Sequence, residues 1–316
     1  MKSVIFFGTP LFSVNVLGAL LKEGYDIKYV VTQPDKEVGR KRKLTASPVK
    51  EFAVDHNLTV LQPVKLTGSE EEEKIISSHA DLLVTAAFGQ FLSTKLLDSA
   101  KYAAINFHAS LLPHYRGAAP IQYALLNGDD VTGITIMEMV KKMDAGDIFF
   151  QDQVNITPED NLGSLTVKLG ELAGEMVKSD LPKIFNNDFM RISQDEEQVS
   201  FSPSIKPEEE MLDFNNDLEH LNNKIRALSP EPGAYFLNQG KRIKIYEAIP
   251  LVEKVEGKPG SIFLRDKKRL GIVTGDQRGI MPRIIQLQGA KRVDVRDFLN
   301  GAGKNLKVGD QFVTID

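Results

Sequence analysis

Through the first half of the chain, short β-rich apolar runs alternate with stretches of helical period. Val4–Phe7, Tyr29–Thr32, Asp81–Ala87 and Ala103–Phe107 have the length and composition of buried strands. Leu11–Glu23, Val49–His56, Glu70–Ser78 and Ala119–Leu126 place apolar residues at helical spacing, and Gly163–Asp180 reads as one more helix. Ser69 stands before four glutamates, a capping hydroxyl and an acidic first turn that suit the helix dipole. Alternation of this kind predicts an α/β domain built on a Rossmann-like, doubly wound parallel sheet.

The pattern changes after Asn187. Up to Pro207 the chain is polar and without period, which reads as a linker. Beyond a helix around Leu218–Leu228, short strand-like runs follow at Ala234–Leu237, Arg242–Ala248, Gly260–Phe263, Gly271–Thr274 and Ile284–Gln286, separated by glycine and proline. That spacing predicts a small β-barrel or sandwich. The expected plan is therefore one domain over residues 1–187, a linker over 188–207 and a second domain over 208–316.

Composition narrows the functional classes. A length of 316 residues suits two cores better than one, and the apolar and charged fractions, 42% and 26%, are those of a soluble globular protein. With no cysteine, disulfides and cysteine-bound metal are excluded. The apolar run at the N-terminus meets Gly8-Thr9-Pro10 too soon for a signal peptide or a membrane span, so the expectation is a cytoplasmic protein without membrane contact. The same turn lacks the glycine pattern of a dinucleotide site. The net charge of −4 hides an asymmetry. Residues 220–316 hold 18 Lys and Arg against 10 Asp and Glu, while the rest of the chain holds 21 against 33. A basic C-terminal third on an acidic protein suits a polyanionic partner, although chance surface composition gives the same count.

The segment that carries chemistry is Ile105-Asn106-Phe107-His108-Ala109-Ser110-Leu111-Leu112-Pro113. A buried strand ends there, and period-2 alternation puts Asn106 and His108 on one side of it. The carboxyl edge of an open α/β sheet is where ligands bind. An amide beside an imidazole can hold a developing oxyanion and manage a proton. A lone Asn-x-His is as well explained by a capped strand end with a satisfied histidine, and Asp144 before Ala145-Gly146 by an ordinary turn.

The company of the motif changes that reading. SLLP is followed by Arg116-Gly117-Ala118-Ala119-Pro120-Ile121-Gln122 and then by Met143-Asp144-Ala145-Gly146-Asp147. Over this whole run the sequence resembles the folate-dependent formyltransferases. The resemblance implies that Asn106, His108 and Asp144 are the catalytic trio. It also implies 10-formyltetrahydrofolate as formyl donor, with no metal. The folate surface would comprise the loop Ser110, Leu111, Leu112 and Pro113 and the backbone around Phe88, Gly89, Gln90, Phe91 and Leu92.

The acceptor is argued from elsewhere in the chain. Between Thr32 and Val49 lies an insertion far longer than the usual βα loop. Its four consecutive basic residues, Arg40, Lys41, Arg42 and Lys43, suit phosphate contacts as well as they suit a solvated surface loop. TQPD, then Gly39-Arg40 with further basic residues, then SPVK, and also GAAPIQ, resemble the family members that formylate methionine on initiator transfer RNA. That resemblance continues through Ile225-Arg226-Ala227 and Pro232-Gly233-Ala234 into an OB-like second domain that would hold the tRNA. It implies initiator methionyl-tRNA and folate as partners of a monomeric enzyme. The rival readings are a formyltransferase for a nucleotide-linked amino sugar, a formyl-folate hydrolase, and a non-enzymatic RNA-binding protein.

Overall fold

The structure, a computed structural model, describes residues 1–38 and 42–312. These form two compact units. The first comprises Met1–Pro120, Val131–Asn155 and Thr166–Pro203; the second comprises Ile121–Asp130, Ile156–Leu165 and Ser204–Asp316.

In chain order come β1 (Ser3–Gly8), α1 (Leu11–Lys22), β2 (Asp26–Val31), β3 (Lys36–Val38), β4 (Lys43–Thr45), α2 (Pro48–Asp55), β5 (Val60–Leu61) and α3 (Glu70–Ser77). They are followed by β6 (Leu82–Ala86), α4 (Thr94–Leu97), β7 (Ala103–His108), β8 (Arg116–Gly117), α5 (Pro120–Leu126), β9 (Val131–Glu138) and β10 (Ile148–Asn155). Then come α6 (Leu162–Ser179), α7 (Leu181–Phe185) and β11 (Phe201–Ser202). The main sheet has the order β10-β9-β7-β6-β1-β2-β5. Its pairs from β5 to β7 are parallel, while β7 with β9 and β9 with β10 are antiparallel. The doubly wound parallel sheet expected from the sequence is thus present. Strand order reverses at β1 and β6, which places the crevice of such a sheet at their carboxyl ends.

Local sequence explains the start of α2 and α3. Ser47 and Ser69 accept hydrogen bonds from Lys50 N and Glu72 N, and Glu72 reaches back to Gly68 N, so orphan amides of the first turn are satisfied. The antiparallel edge was not legible. β9 buries Thr132 and Thr135 among its apolar residues, and β10 exposes most of its second half, so neither alternates cleanly.

The segment read as a linker is instead built into the first unit as far as Pro203. Phe201 and Ser202 pair in parallel with Arg116 and Gly117, and polar side chains of the segment serve as partners for buried groups described below. Its lack of apolar period reflects contacts made by hydrogen bonds.

In the second unit, α8 (Leu218–Ala227) precedes β12 (Ala234–Asn238), β13 (Lys241–Leu251), β14 (Ile262–Arg265), β15 (Leu270–Val273), β16 (Gly279–Leu287), β17 (Val293–Asp294) and α9 (Val295–Asn300). The strands form one antiparallel sheet, β12-β13-β16-β15-β14 with β17 on β16. It packs with both helices around a single apolar cluster in which Phe214, Phe236 and Phe312 meet at centroid distances of 4.5–6.5 Å. This is the small barrel-like β domain expected; β17 and α9 were not anticipated.

Gly133, in β9, has no room for a side chain. An added Cβ would lie 2.1 Å from the Asp152 carbonyl of β10 and 2.6 Å from Leu111. Gly133→Ala is expected to lower stability by about 1–3 kcal/mol, because backbone cannot yield as a flexible side chain does. Urea unfolding of the two proteins checks this; an unchanged midpoint would contradict the packing described.

Candidate active site

β6 and β7 run side by side with Thr85 opposite Asn106, so the ends of β1, β6 and β7 share one edge of the sheet. The Thr85 hydroxyl lies 2.9 Å from Asn106 Oδ1 and 3.0 Å from the Ile105 carbonyl. Its donation to Oδ1 leaves the amide nitrogen of Asn106 as the group free to donate. Two residues on, His108 is 5% exposed. Its Nε2 lies 2.9 Å from the Tyr115 carbonyl oxygen. A carbonyl only accepts, so Nε2 carries a proton, and it is Nδ1 that bears the lone pair whenever the ring is neutral. Nδ1 faces Asp144 Oδ2 at 3.8 Å.

Asp144 sits in a turn between β9 and β10 with φ +50°, a left-handed conformation that Asp tolerates better than most residues. Its Oδ2 accepts the Gly117 N–H at 3.0 Å, and its side chain is 14% exposed. Gly146 follows because a Cβ there would meet the Glu138 carbonyl at 2.0 Å. Gly117 is equally constrained: φ is +135° and an added Cβ would lie 2.5 Å from the Ser202 carbonyl. The structure therefore brings His108 and Asp144 together, with Asn106 on the same strand.

Beside them Arg116 is 1% exposed, a charge that is tolerated only when paired. Its Nε donates to Gln194 Oε1 and its Nη2 to Glu196 Oε1, both at 2.9 Å. The Lys142 ammonium and the Arg116 guanidinium hold the Glu196 carboxyl below its ordinary value. Gln194 Nε2 in turn donates to the carbonyls of Asp144 and Gly146.

The residues expected to form a folate surface divide into two sets. Ser110 and Leu112 are buried: the Ser110 hydroxyl donates to the His114 carbonyl at 2.6 Å, and Leu112 packs with Met137 and Ile148. Phe88 and Leu92 belong to the core, Phe88 edge-on to Phe7. Leu111, Pro113 and Gln90 are half-buried and Gly89 is exposed. Gly89 has φ +86° and only Gln33 Nε2, at 3.6 Å, near an added Cβ, so backbone conformation is what calls for glycine there. Thr9 Oγ1 and Gln33 Nε2 both donate to the Phe88 carbonyl at 3.1 Å, and Phe91 is 71% exposed nearby in the chain.

The basic insertion contains the antiparallel hairpin of β3 and β4. At its base Asp35 binds Lys50 and Gln62, and the Gln62 amide with the Lys50 ammonium holds the Asp35 carboxyl low. Arg42 and Lys43 are exposed; Arg40 and Lys41 lie outside the described residues. Among the described residues no three His, Asp or Glu groups are placed to hold a metal ion. Sequence reasoning missed Thr85, Tyr115, Gln194, Glu196, Ser200 and Ser202, since each acts through a fold contact that no local pattern announces.

Residues 1–180 match the formyl transferase family, and residues 204–303 match the formyl transferase C-terminal domain. The chain is 50% identical over 313 residues to a methionyl-tRNA formyltransferase of Lactobacillus acidophilus, and 49% identical over 313 residues to one of Streptococcus suis, covering 99% of both chains in each case. Among solved structures it resembles WlaRD, a sugar 3N-formyl transferase, with a TM-score of 0.65 and 20% identity over 92% of this chain and 99% of that one. The Asn-x-His strand end, the carboxylate turn facing it and matches that span both units together make this chain a member of the formyl transferase family.

Proposed function

We propose that the protein transfers the formyl group of 10-formyltetrahydrofolate to the amino group of methionine on initiator methionyl-tRNA. The observation that carries the chemistry is His108 with its Nε2 proton engaged by Tyr115 and its Nδ1 facing Asp144. The acceptor amine attacks the formyl carbon; a C–N bond forms and the carbonyl electron pair moves to oxygen. Asn106 donates to that oxygen, a contact worth about 3–4 kcal/mol when preorganised in a dry site. Nδ1 takes the proton the amine loses, and the Asp144 carboxylate stabilises the imidazolium. Collapse breaks the bond from the formyl carbon to N10 of the folate, and the proton passes to that nitrogen. The products are formylated amine and tetrahydrofolate, with no metal required.

The expected place for the donor is the carboxyl end of β1 and β6, where Ala87 and Gly89 are exposed. A planar pterin can hydrogen-bond to backbone there. The buried Ser110 and Leu112 shape the SLLP loop from behind, and the carbonyls of residues 110–113 are engaged within the protein, so contacts from that loop would come from the Leu111 and Pro113 side chains. For the acceptor, the support is the identity to methionyl-tRNA formyltransferases over the whole chain, including the basic insertion and the second unit, with its excess of basic residues. In that unit the exposed Arg242 guanidinium lies over the ring of Tyr235, a charge available to a phosphate backbone.

Asn106→Ala or His108→Ala is expected to lower kcat by at least ~100-fold with little change in substrate binding, because each group acts on charge that develops in the transition state. Asp144→Asn should match the histidine change, and the double variant with His108→Ala should be little worse than either, since the pair acts as a unit. Steady-state formylation of methionyl-tRNA checks both; a single variant keeping half the wild-type rate, or fully additive losses, would sink the assignment.

Arg40→Ala is expected to raise KM for tRNA, leave folate KM unchanged and reduce the log–log salt slope of tRNA use by about 0.7–0.9, the value of one phosphate contact. Rates against tRNA at two salt concentrations measure it. Equality with wild type at both would remove the insertion from tRNA recognition.

A further inference from the structure

We propose that the segment 194–202 is a clasp that sets the geometry of the His108–Asp144 pair, with Gln194 and Ser202 as its positioning residues. This rests on the catalytic reading above and goes beyond it, because neither residue belongs to the expected trio.

Two backbone positions decide where the pair stands. The Tyr115 carbonyl selects the protonated nitrogen of His108, and the turn at Asp144 sets the distance of the carboxylate. Both residues are non-glycine and left-handed, with φ +61° at Tyr115 and +50° at Asp144. Such conformations are strained and persist only where the surroundings over-determine them. The segment supplies those surroundings at both places. The Ser202 hydroxyl donates to the Tyr115 carbonyl at 3.0 Å, the same oxygen that accepts from His108, and Tyr115 N donates to the Ser200 hydroxyl at 2.9 Å. At the other pole Gln194 Nε2 donates to the Asp144 carbonyl at 2.9 Å and to the Gly146 carbonyl at 2.7 Å.

The segment itself is fixed from below. Arg116 N donates to the Ser200 carbonyl, and Ala118 N and Ala119 N donate to the Ser202 carbonyl. The buried Arg116 guanidinium orients Gln194 by bonding its Oε1, which turns Nε2 toward the two carbonyls. One stretch of chain thus grips the residue that orients the imidazole and the turn that carries the carboxylate. Ser202 is fully buried, so its hydroxyl is placed for this internal bond and is shielded from solvent.

The test uses the full chain with Gln194→Glu, which keeps size and the Arg116 contact but removes both donors to the turn. Gln194→Met is the second variant should the carboxylate disturb folding. Displacement of reacting groups by about 1 Å costs on the order of 100-fold, so kcat should fall at least 10-fold while KM for folate and tRNA stay within two-fold. Ser202→Ala should lose kcat in the same manner, and Ser202→Thr, which restores a hydroxyl, should recover most of it. Placed on His108→Ala, Gln194→Glu should leave the residual rate unchanged. A folded Gln194 variant with wild-type kcat, a loss confined to KM, or a further equal loss on His108→Ala would each overturn the clasp. Wild-type transfer measured alongside separates the two readings: its absence contradicts the proposed function, whereas normal wild-type transfer with unaffected variants contradicts the clasp alone.

Discussion

The hydrogen bond between His108 Nε2 and the Tyr115 carbonyl, 2.9 Å long, constrains everything else at the carboxyl edge of the sheet. A neutral imidazole has one proton, and a main-chain carbonyl can only accept it. The other nitrogen is then basic, and it faces a carboxylate at 3.8 Å. That separation is too long for a direct hydrogen bond, but near enough for the carboxylate to stabilise a proton that arrives on Nδ1. The tautomer of the neutral ring is thus fixed before any substrate binds.

Around that bond the first unit is arranged to hold two awkward pieces of backbone. Gly117 has neither the φ nor the space for a side chain, yet its N–H is what Asp144 accepts. Arg116, next to it, buries a full charge against Gln194 and Glu196. Glu196 is 60% exposed while Arg116 is almost wholly buried, so the desolvation falls on the arginine and its partners cannot be lost cheaply. Behind the SLLP loop, Thr135 bonds Ser110 and Leu112, and Gln151 bonds Leu112. The antiparallel strands β9 and β10 therefore brace the loop from the side opposite the crevice.

The legible part of this design is the part written locally. Continuous apolar runs announced β1, β2, β6 and β7, helical spacing announced α2, a serine cap announced α3, and Asn106 with His108 stood out because a strand ended on them. The sequence also put Asp144 in a turn, and resemblance supplied its role. What stayed hidden depends on distant contacts. Residues 194–202 lack periodicity because they are held by hydrogen bonds to Tyr115, to β8 and to the Asp144 turn, 50 positions or more away. The backbone around Phe88 and Leu92 was expected to line the folate surface, and no local pattern showed that their side chains complete the core. The hairpin of β3 and β4 escaped notice because its strands are three residues long and exposed on every residue, with no apolar alternation to reveal them.

The geometry makes one demand that kinetics alone does not reach, the position of the proton on His108. Nitrogen-15 labelling of the five histidines, with His108→Asn to identify its signals, reads the tautomer directly by long-range proton–nitrogen correlation at a pH where the ring is neutral. The expected result is a protonated Nε2 and a bare Nδ1. A neutral ring protonated at Nδ1 would contradict it, for the carbonyl of Tyr115 would then lose its imidazole donor and the base facing Asp144 would be gone.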